Sequence, residues 1–284
     1  EIADKYNSLQ SALAGAERLV PLLEEEDRQI TNEVPREFKH IESIDFEHVW
    51  FSYDNSNVYA LEDFTLSIKA GEFIGIVGPS GSGKSTLLSL LMGLYKPTKG
   101  AIYINGIDIA NYDSSVLRHL MGYVFQQAYL FKGSIKDNLT LFDTSISYDD
   151  MVAAAKQVNL DSMIEQLPEG YHTPVGYLGS LLSDGQKQLL AFGRTLIRNT
   201  PILLLDEATA NIDSHTEKQI QASIENIRGS KTIVSIAHRL STVKDANKIV
   251  YMEYGKIIEI GSFDELINLK GAFYNLWNNQ HSGS

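Results

Sequence analysis

Two stretches of this 284-residue chain hold residues whose types and spacing could do chemistry. The first, Gly78-Pro79-Ser80-Gly81-Ser82-Gly83-Lys84-Ser85, satisfies the pattern G-x-x-x-x-G-K-[ST]. Glycines in such a loop let several backbone N–H groups turn inward, making an anion nest at a helix N-terminus. Lys84 would add a full positive charge for β- and γ-phosphates, and Ser85 would ligate Mg2+ through its hydroxyl. The second stretch, Ile202-Leu203-Leu204-Leu205-Asp206-Glu207, is an apolar run ending in two carboxylates. Strand alternation would send those two side chains to opposite sides, so different jobs are expected of them. Asp206 suits a metal shell; Glu207 suits a general base, or the group that orients an attacking water. The chemistry implied is transfer of a phosphoryl group from a nucleoside triphosphate to water.

Such groups need rigid carriers. The cradle follows an apolar strand at 73–77 and opens a helix near Lys84, as the pattern demands. Residues 44–53, 59–69, 72–77 and 101–109 are β-branched or aromatic enough to read as strands, with turns at 54–57, 70–71 and 105–106. The middle, 134–170, is helix-like, most clearly at 149–158. Helix 184–198, strand 201–205, helix 214–228 and strand 231–236 follow, then a hairpin at 248–260 and a C-terminal helix. This alternation predicts a mostly parallel α/β sheet with an antiparallel portion at the front.

Composition removes several classes. There is no cysteine, which excludes a disulfide scaffold, a thiolate nucleophile and cysteine-ligated metal. A net charge of −12 argues against a nucleic-acid groove as the main surface. No run reaches the ~20 apolar residues that span a bilayer. Glu1 opens the chain without methionine or a signal-peptide pattern, as in a segment of something longer. Ile2, Tyr6, Leu9, Leu13, Ala16 and Val20 form one helical stripe, which Pro21 ends or kinks. By itself the stripe reads as an amphipathic helix packed on its own domain, or as the tail of a longer helix.

Leu182-Ser183-Asp184-Gly185-Gln186 is similar to the LSGGQ signature, and with it the chain resembles the nucleotide-binding domain of ABC transporters, exporter type. Gln126 looks like the Q-loop glutamine, Asp213 like the D-loop aspartate, His238 like the switch histidine and Tyr53 like the aromatic residue that stacks on adenine. The resemblance implies a P-loop NTPase (RecA-like) core with a mostly parallel sheet, an antiparallel β-subdomain and an inserted α-helical subdomain at about 128–180. It divides the chain into a connector from a transmembrane helix (1–40) and the domain proper (41–280); the sequence of the last four residues (281–284) reads, apart from the resemblance, as a candidate remnant of cloning. It implies Mg-dependent hydrolysis of ATP, with Glu207, His238, Gln126 and Lys84 catalytic. ATP would be held by Tyr53, Gly78, Ser80, Gly81, Ser82, Gly83, Lys84, Ser85, Thr86, Gln126 and Asp206, and the metal by Ser85, Gln126 and Asp206. The signature, Ser183, Asp184, Gly185 and Gln186, would face the γ-phosphate bound by a second nucleotide-binding domain. The partners implied are that second domain and the transporter's membrane domains, at the cytoplasmic face of a membrane, with no nucleic acid.

Three positions depart from the family. Asp184 replaces the first signature glycine and would put a negative charge beside the opposing γ-phosphate, weakening that site. Tyr177 stands where exporters often carry glutamate, and Asn211-Ile212 replaces the commoner Ala-Leu. Intact Glu207 beside an altered signature implies one half of a heterodimeric exporter. A soluble ABC ATPase without a transporter, or an ATP-binding regulator without turnover, is the alternative; the net charge opposes the former, and Glu207 with His238 the latter.

Overall fold

The computed structural model describes residues 40–54, 58–112, 114–208, 212–237 and 239–281. Apart from His40 the expected connector lies outside the described residues, as do Asn211, His238 and 282–284.

Period-two burial builds the first sheet. In β2 (Leu61–Lys69), Leu61, Phe64, Leu66 and Ile68 face inward while Thr65, Ser67 and Lys69 face water. It pairs antiparallel with β1 (Ser43–Phe51), which pairs with β4 (Lys99–Ile104), itself joined to β5 (Ile107–Asp108). The β4–β5 turn, Asn105-Gly106, has positive φ at both residues, the type I′ geometry that Asn-Gly favours.

The second sheet runs β10-β9-β3-β8-β7-β6. Here β3 (Phe73–Val77), β6 (Met121–Val124), β7 (Ile202–Asp206), β8 (Thr232–Ile236) and β9 (Lys248–Glu253) are parallel, and β10 (Lys256–Gly261) closes one edge antiparallel. β3 and β8 are buried along their whole length, as strands covered on both faces must be. Ile74, Ile76, Leu204 and Val234 pack with the antiparallel sheet and with Leu87, Leu88 and Leu91 of α1 (Lys84–Leu91). Phe73, Val77, Leu203 and Ile233 face the other way, onto Leu189 and Phe192 of α6 (Asp184–Ile197) and Ile220 and Ile224 of α7 (Ser214–Ile227).

The middle of the chain forms α3 (Ile135–Thr140), α4 (Tyr148–Gln157) and α5 (Asp161–Glu165), which share the core under α6 through Leu139, Met151 and Val158. Ser134 caps α3 in a reciprocal box with Asp137, and the hydroxyl of Ser147 caps α4. Two features differ from the sequence reading. Residues 114–124, given no element there, hold α2 (Ser114–Leu120) and β6. The single C-terminal helix is two, α8 (Phe263–Leu269) and α9 (Ala272–His281). The break is at Lys270 in the left-handed region, and the Glu259 carboxylate accepts from the N–H groups of Ala272 (2.6 Å) and Phe273 (3.0 Å) to start the second helix.

Candidate functional site

The loop between β3 and α1 delivers the cradle. Gly83, the N-cap of α1, has φ 98°, and a Cβ there would lie 2.4 Å from the Ala60 carbonyl, so only glycine fits. Lys84 is buried behind it, its Nζ donating to the carbonyls of Gly78 (2.9 Å) and Pro79 (2.8 Å). Burial lowers the Lys84 pKa below its ordinary value, while the charges of Glu207 and then Asp206 pull it back up. Ser82 Oγ is buried and has no hydrogen-bond partner among the described residues, an orphan that an incoming phosphate oxygen would satisfy. Ser80, Gly81, Gly83, Lys84, Ser85 and Thr86 line a cleft of about 280 Å³, together with Tyr53, Ala60 and Glu207.

Tyr53 stands at the mouth of this cleft, 58% exposed, its ring edge-on to Phe51 and Tyr95 with centroids at 4.8 and 5.2 Å. Its Oη and Thr86 Oγ1 are 2.9 Å apart. The aromatic platform is therefore fixed to the helix that carries the cradle, and the Thr86 hydroxyl is engaged by Tyr53.

The acidic pair needs a correction. Alternation along a strand does not separate Asp206 from Glu207, because β7 ends at Asp206. Glu207 has φ +49°, and its N–H donates to Ile236 O (3.0 Å). A left-handed non-glycine residue costs roughly 1–3 kcal/mol, the kind of local strain that clusters at functional sites. This turn brings Glu207 to the cleft, and Gln126 Nε2 donates to its Oε2 at 2.7 Å. Asp206 Oδ2 accepts from Tyr123 Oη at 2.7 Å. Ser85, Gln126 and Asp206 bring oxygen donors, the class that hard divalent cations take. Among the described residues no cluster of three or more His, Cys, Asp or Glu side chains could hold a metal.

The signature lies elsewhere. Ser183 caps α6: its Oγ accepts from Gln186 N (3.2 Å), and Gln186 Oε1 accepts from Ser183 N (2.9 Å). Asp184, in the first turn, is 77% exposed at its side chain and meets Lys187 Nζ at 2.9 Å. Its φ is not positive, so this position makes no demand for glycine. Gly185 does make one: a Cβ would lie 2.5 Å from Thr216 Oγ1 on α7. Thr216 in turn donates to Asp213, the N-cap of α7, through N (3.0 Å) and Oγ1 (2.7 Å), and these bonds hold the Asp213 carboxyl below its usual pKa. Gly185→Ala is thus expected to push α6 off α7 and cost about 1–3 kcal/mol, seen as a lower melting midpoint. An unchanged melt would refute this packing account.

Asp184 lines a second hollow, of about 230 Å³, with Gln126, Gln127, Lys187, Ala208 and Ile212. Tyr177 is 79% exposed and has exposed Leu178 and Leu181 for neighbours in sequence. Further supports escaped the sequence reading. Besides Tyr123, Gln188 of α6 donates to Phe125 O (2.9 Å), holding the segment that carries Gln126. Arg194 donates to Asn138 O (2.9 Å) and Tyr129 O (3.0 Å). Glu217, buried on α7, pairs with Arg239 and accepts from Ser241 Oγ (3.0 Å). None belongs to a local pattern that could have flagged it.

Comparison with known proteins agrees with this fold. The profile of the ABC transporter family matches residues 61–210. The uncharacterized ABC transporter ATP-binding protein YfiC of Bacillus subtilis is 40% identical over 99% of this chain and 46% of its own length. An ATP-dependent lipid A-core flippase of Syntrophus aciditrophicus is 37% identical over 95% of this chain and 45% of its own. The solved structure of a bacterial Atm1-family ABC exporter with ATP bound superposes with a TM-score of 0.80 at 38% identity, over 85% of this chain and 42% of that one. The chain spans about half the length of the curated relatives it matches. Among the described residues no helix is long and apolar enough to cross a membrane.

Proposed function

The chain belongs to the ABC transporter family, whose ATP-binding domains hydrolyse ATP, and from that membership we propose that it is the motor domain of an exporter. In this reading ATP draws two such domains together, hydrolysis releases them, and the cycle drives a substrate across a membrane. The observation that carries the proposal is the Gln126–Glu207 contact at the edge of the Lys84 cleft. It aims a carboxylate at the water that would attack the γ-phosphoryl group, within a cradle suited to the phosphates. His238 would complete the set.

Mg2+ is the metal this donor set suits, since Mg2+ is usually held by one or two carboxylates plus substrate phosphates rather than by an all-protein cage. Ser85 Oγ, Asp206 and the amide oxygen of Gln126 would hold it. Once bound, it supplies neutralisation of the charge on the β- and γ-phosphate oxygens. The family relation to a flippase and an exporter of about twice this length supports membrane domains as partners, with this chain at the cytoplasmic face. A phosphate-release assay on the purified chain tests the enzymatic part: no ATP-dependent release under any Mg2+ concentration would remove it.

Asp184 favours a heterodimer as the working unit. A carboxylate ~4 Å from a γ-phosphate charge is unfavourable by about 1 kcal/mol in water-like surroundings and about 4 kcal/mol at an effective dielectric of 20. Lys187 offsets part of this, although an exposed pair contributes little. Alone, the chain should therefore hydrolyse ATP poorly, and Asp184→Gly should raise its activity. Vigorous cooperative hydrolysis by the unmodified chain, unaltered by Asp184→Gly, would overturn the heterodimer.

A further inference from the structure

We infer that Tyr123 is a positioning residue for the metal: its phenol holds the Asp206 carboxylate by Oδ2, so that Asp206 presents its other oxygen to the cation. The inference rests on the reading of the Lys84 cleft as a Mg–nucleotide site. Tyr123 lies on β6, whose parallel register with β7 sets it beside Leu204, so Asp206 is two residues farther along the same face. From there the phenol reaches Asp206 Oδ2 at 2.7 Å. Its ring is half-buried against the core that holds Leu204 and Ile76, and packs edge-on to Phe125 with centroids at 4.5 Å.

The neighbouring cation does not do this work. Lys84 Nζ donates to the carbonyls of Gly78 and Pro79, and it is Tyr123 Oη that donates to the Asp206 carboxylate. A carboxylate beside a nucleotide could otherwise swing between Lys84 and the metal. Fixing one oxygen removes that freedom before the metal arrives, as partners of ligating carboxylates do in metal sites generally. A phenol is protonated near neutral pH, so Tyr123 Oη is the donor in this bond.

The test is calorimetric titration of the chain with AMP-PNP, which is not turned over, in EDTA and across a MgCl2 series. Tyr123→Phe keeps the ring and removes the donor. Binding in EDTA should match the unmodified chain, while the MgCl2 concentration giving half of the metal-dependent gain should rise about 10-fold. In an Asp206→Asn background, Tyr123→Phe should shift that midpoint no further. An unmoved midpoint, an equal loss of affinity in EDTA and in MgCl2, or a full second shift on Asp206→Asn would each overturn the inference. If the unmodified chain bound no AMP-PNP in either condition, the nucleotide-site reading would fall and take this inference with it.

Discussion

Replacing Glu207 by glutamine is expected to leave ATP binding intact and to slow hydrolysis by about 10²–10⁴-fold, the range that a positioned general base contributes. The substitution is nearly isosteric. The new amide oxygen can still accept from Gln126 Nε2, and the backbone bond from residue 207 to Ile236 in the left-handed turn after β7 does not involve the side chain. Only the capacity to take a proton from water is removed, together with one negative charge beside the phosphates. Affinity for ATP should therefore hold or rise, and the nucleotide should persist on a closed pair of domains. Equilibrium ATP binding, phosphate release and size-exclusion chromatography in ATP read the three parts separately. Hydrolysis at the unmodified rate would dismiss Glu207 as the base.

The groups proposed to touch nucleotide were legible because they sit in contiguous patterns. Gly78 to Ser85 and Asp206-Glu207 each follow a short apolar strand, and strand alternation with helices is what a parallel sheet requires. What escaped is long-range. Tyr123 and Asp206 are 83 positions apart, and Gln188 and Phe125 are 63 apart; tyrosine, glutamine and arginine are too common for distant pairs to announce themselves. Residues 114–124 escaped for a different reason. A seven-residue helix running directly into a four-residue strand is too short for either period to emerge. The turn at Glu207 was illegible because no local signal asks a glutamate to adopt positive φ.

These supports give the departures at the signature a physical meaning. Gly185 is required by α7, not by ligand alone, since Thr216 occupies the space a side chain would need. Position 184 has no such neighbour, so an aspartate is accommodated by the fold and matters only through its charge. The change at the first glycine and the retention of the second are therefore independent. The first alters what the helix end offers an anion. The second preserves the contact that ties α6 to the capped end of α7 at Asp213. Glu217, one helical turn beyond Asp213, meets Arg239, which adjoins position 238, so the same helix links two segments expected to serve catalysis.

Lys84→Ala is expected to weaken ATP binding about 100-fold while leaving the nucleotide-free fold close to its original stability. The two effects have different origins. Without nucleotide the ammonium is buried against the neutral carbonyls of Gly78 and Pro79, and burial depresses its pKa. Deleting it removes a desolvated charge along with those bonds, so the net change in folding should be small. With nucleotide, the ammonium would make charge-assisted bonds to phosphate oxygens, each contributing about 1.5–3 kcal/mol. Loss of about 3 kcal/mol corresponds to about two orders of magnitude in affinity. Thermal melts separate the two. At ATP concentrations near 100 times the original dissociation constant, binding stabilises the unmodified chain by about 2.7 kcal/mol, and a variant binding 100-fold more weakly by only about 0.4 kcal/mol. The variant should therefore melt with the parent in the absence of ATP and well below it in its presence. If Lys84→Ala kept the full ATP-induced shift, the loop between β3 and α1 would not be the phosphate cradle, and the functional reading of Glu207 would lose the substrate it acts on.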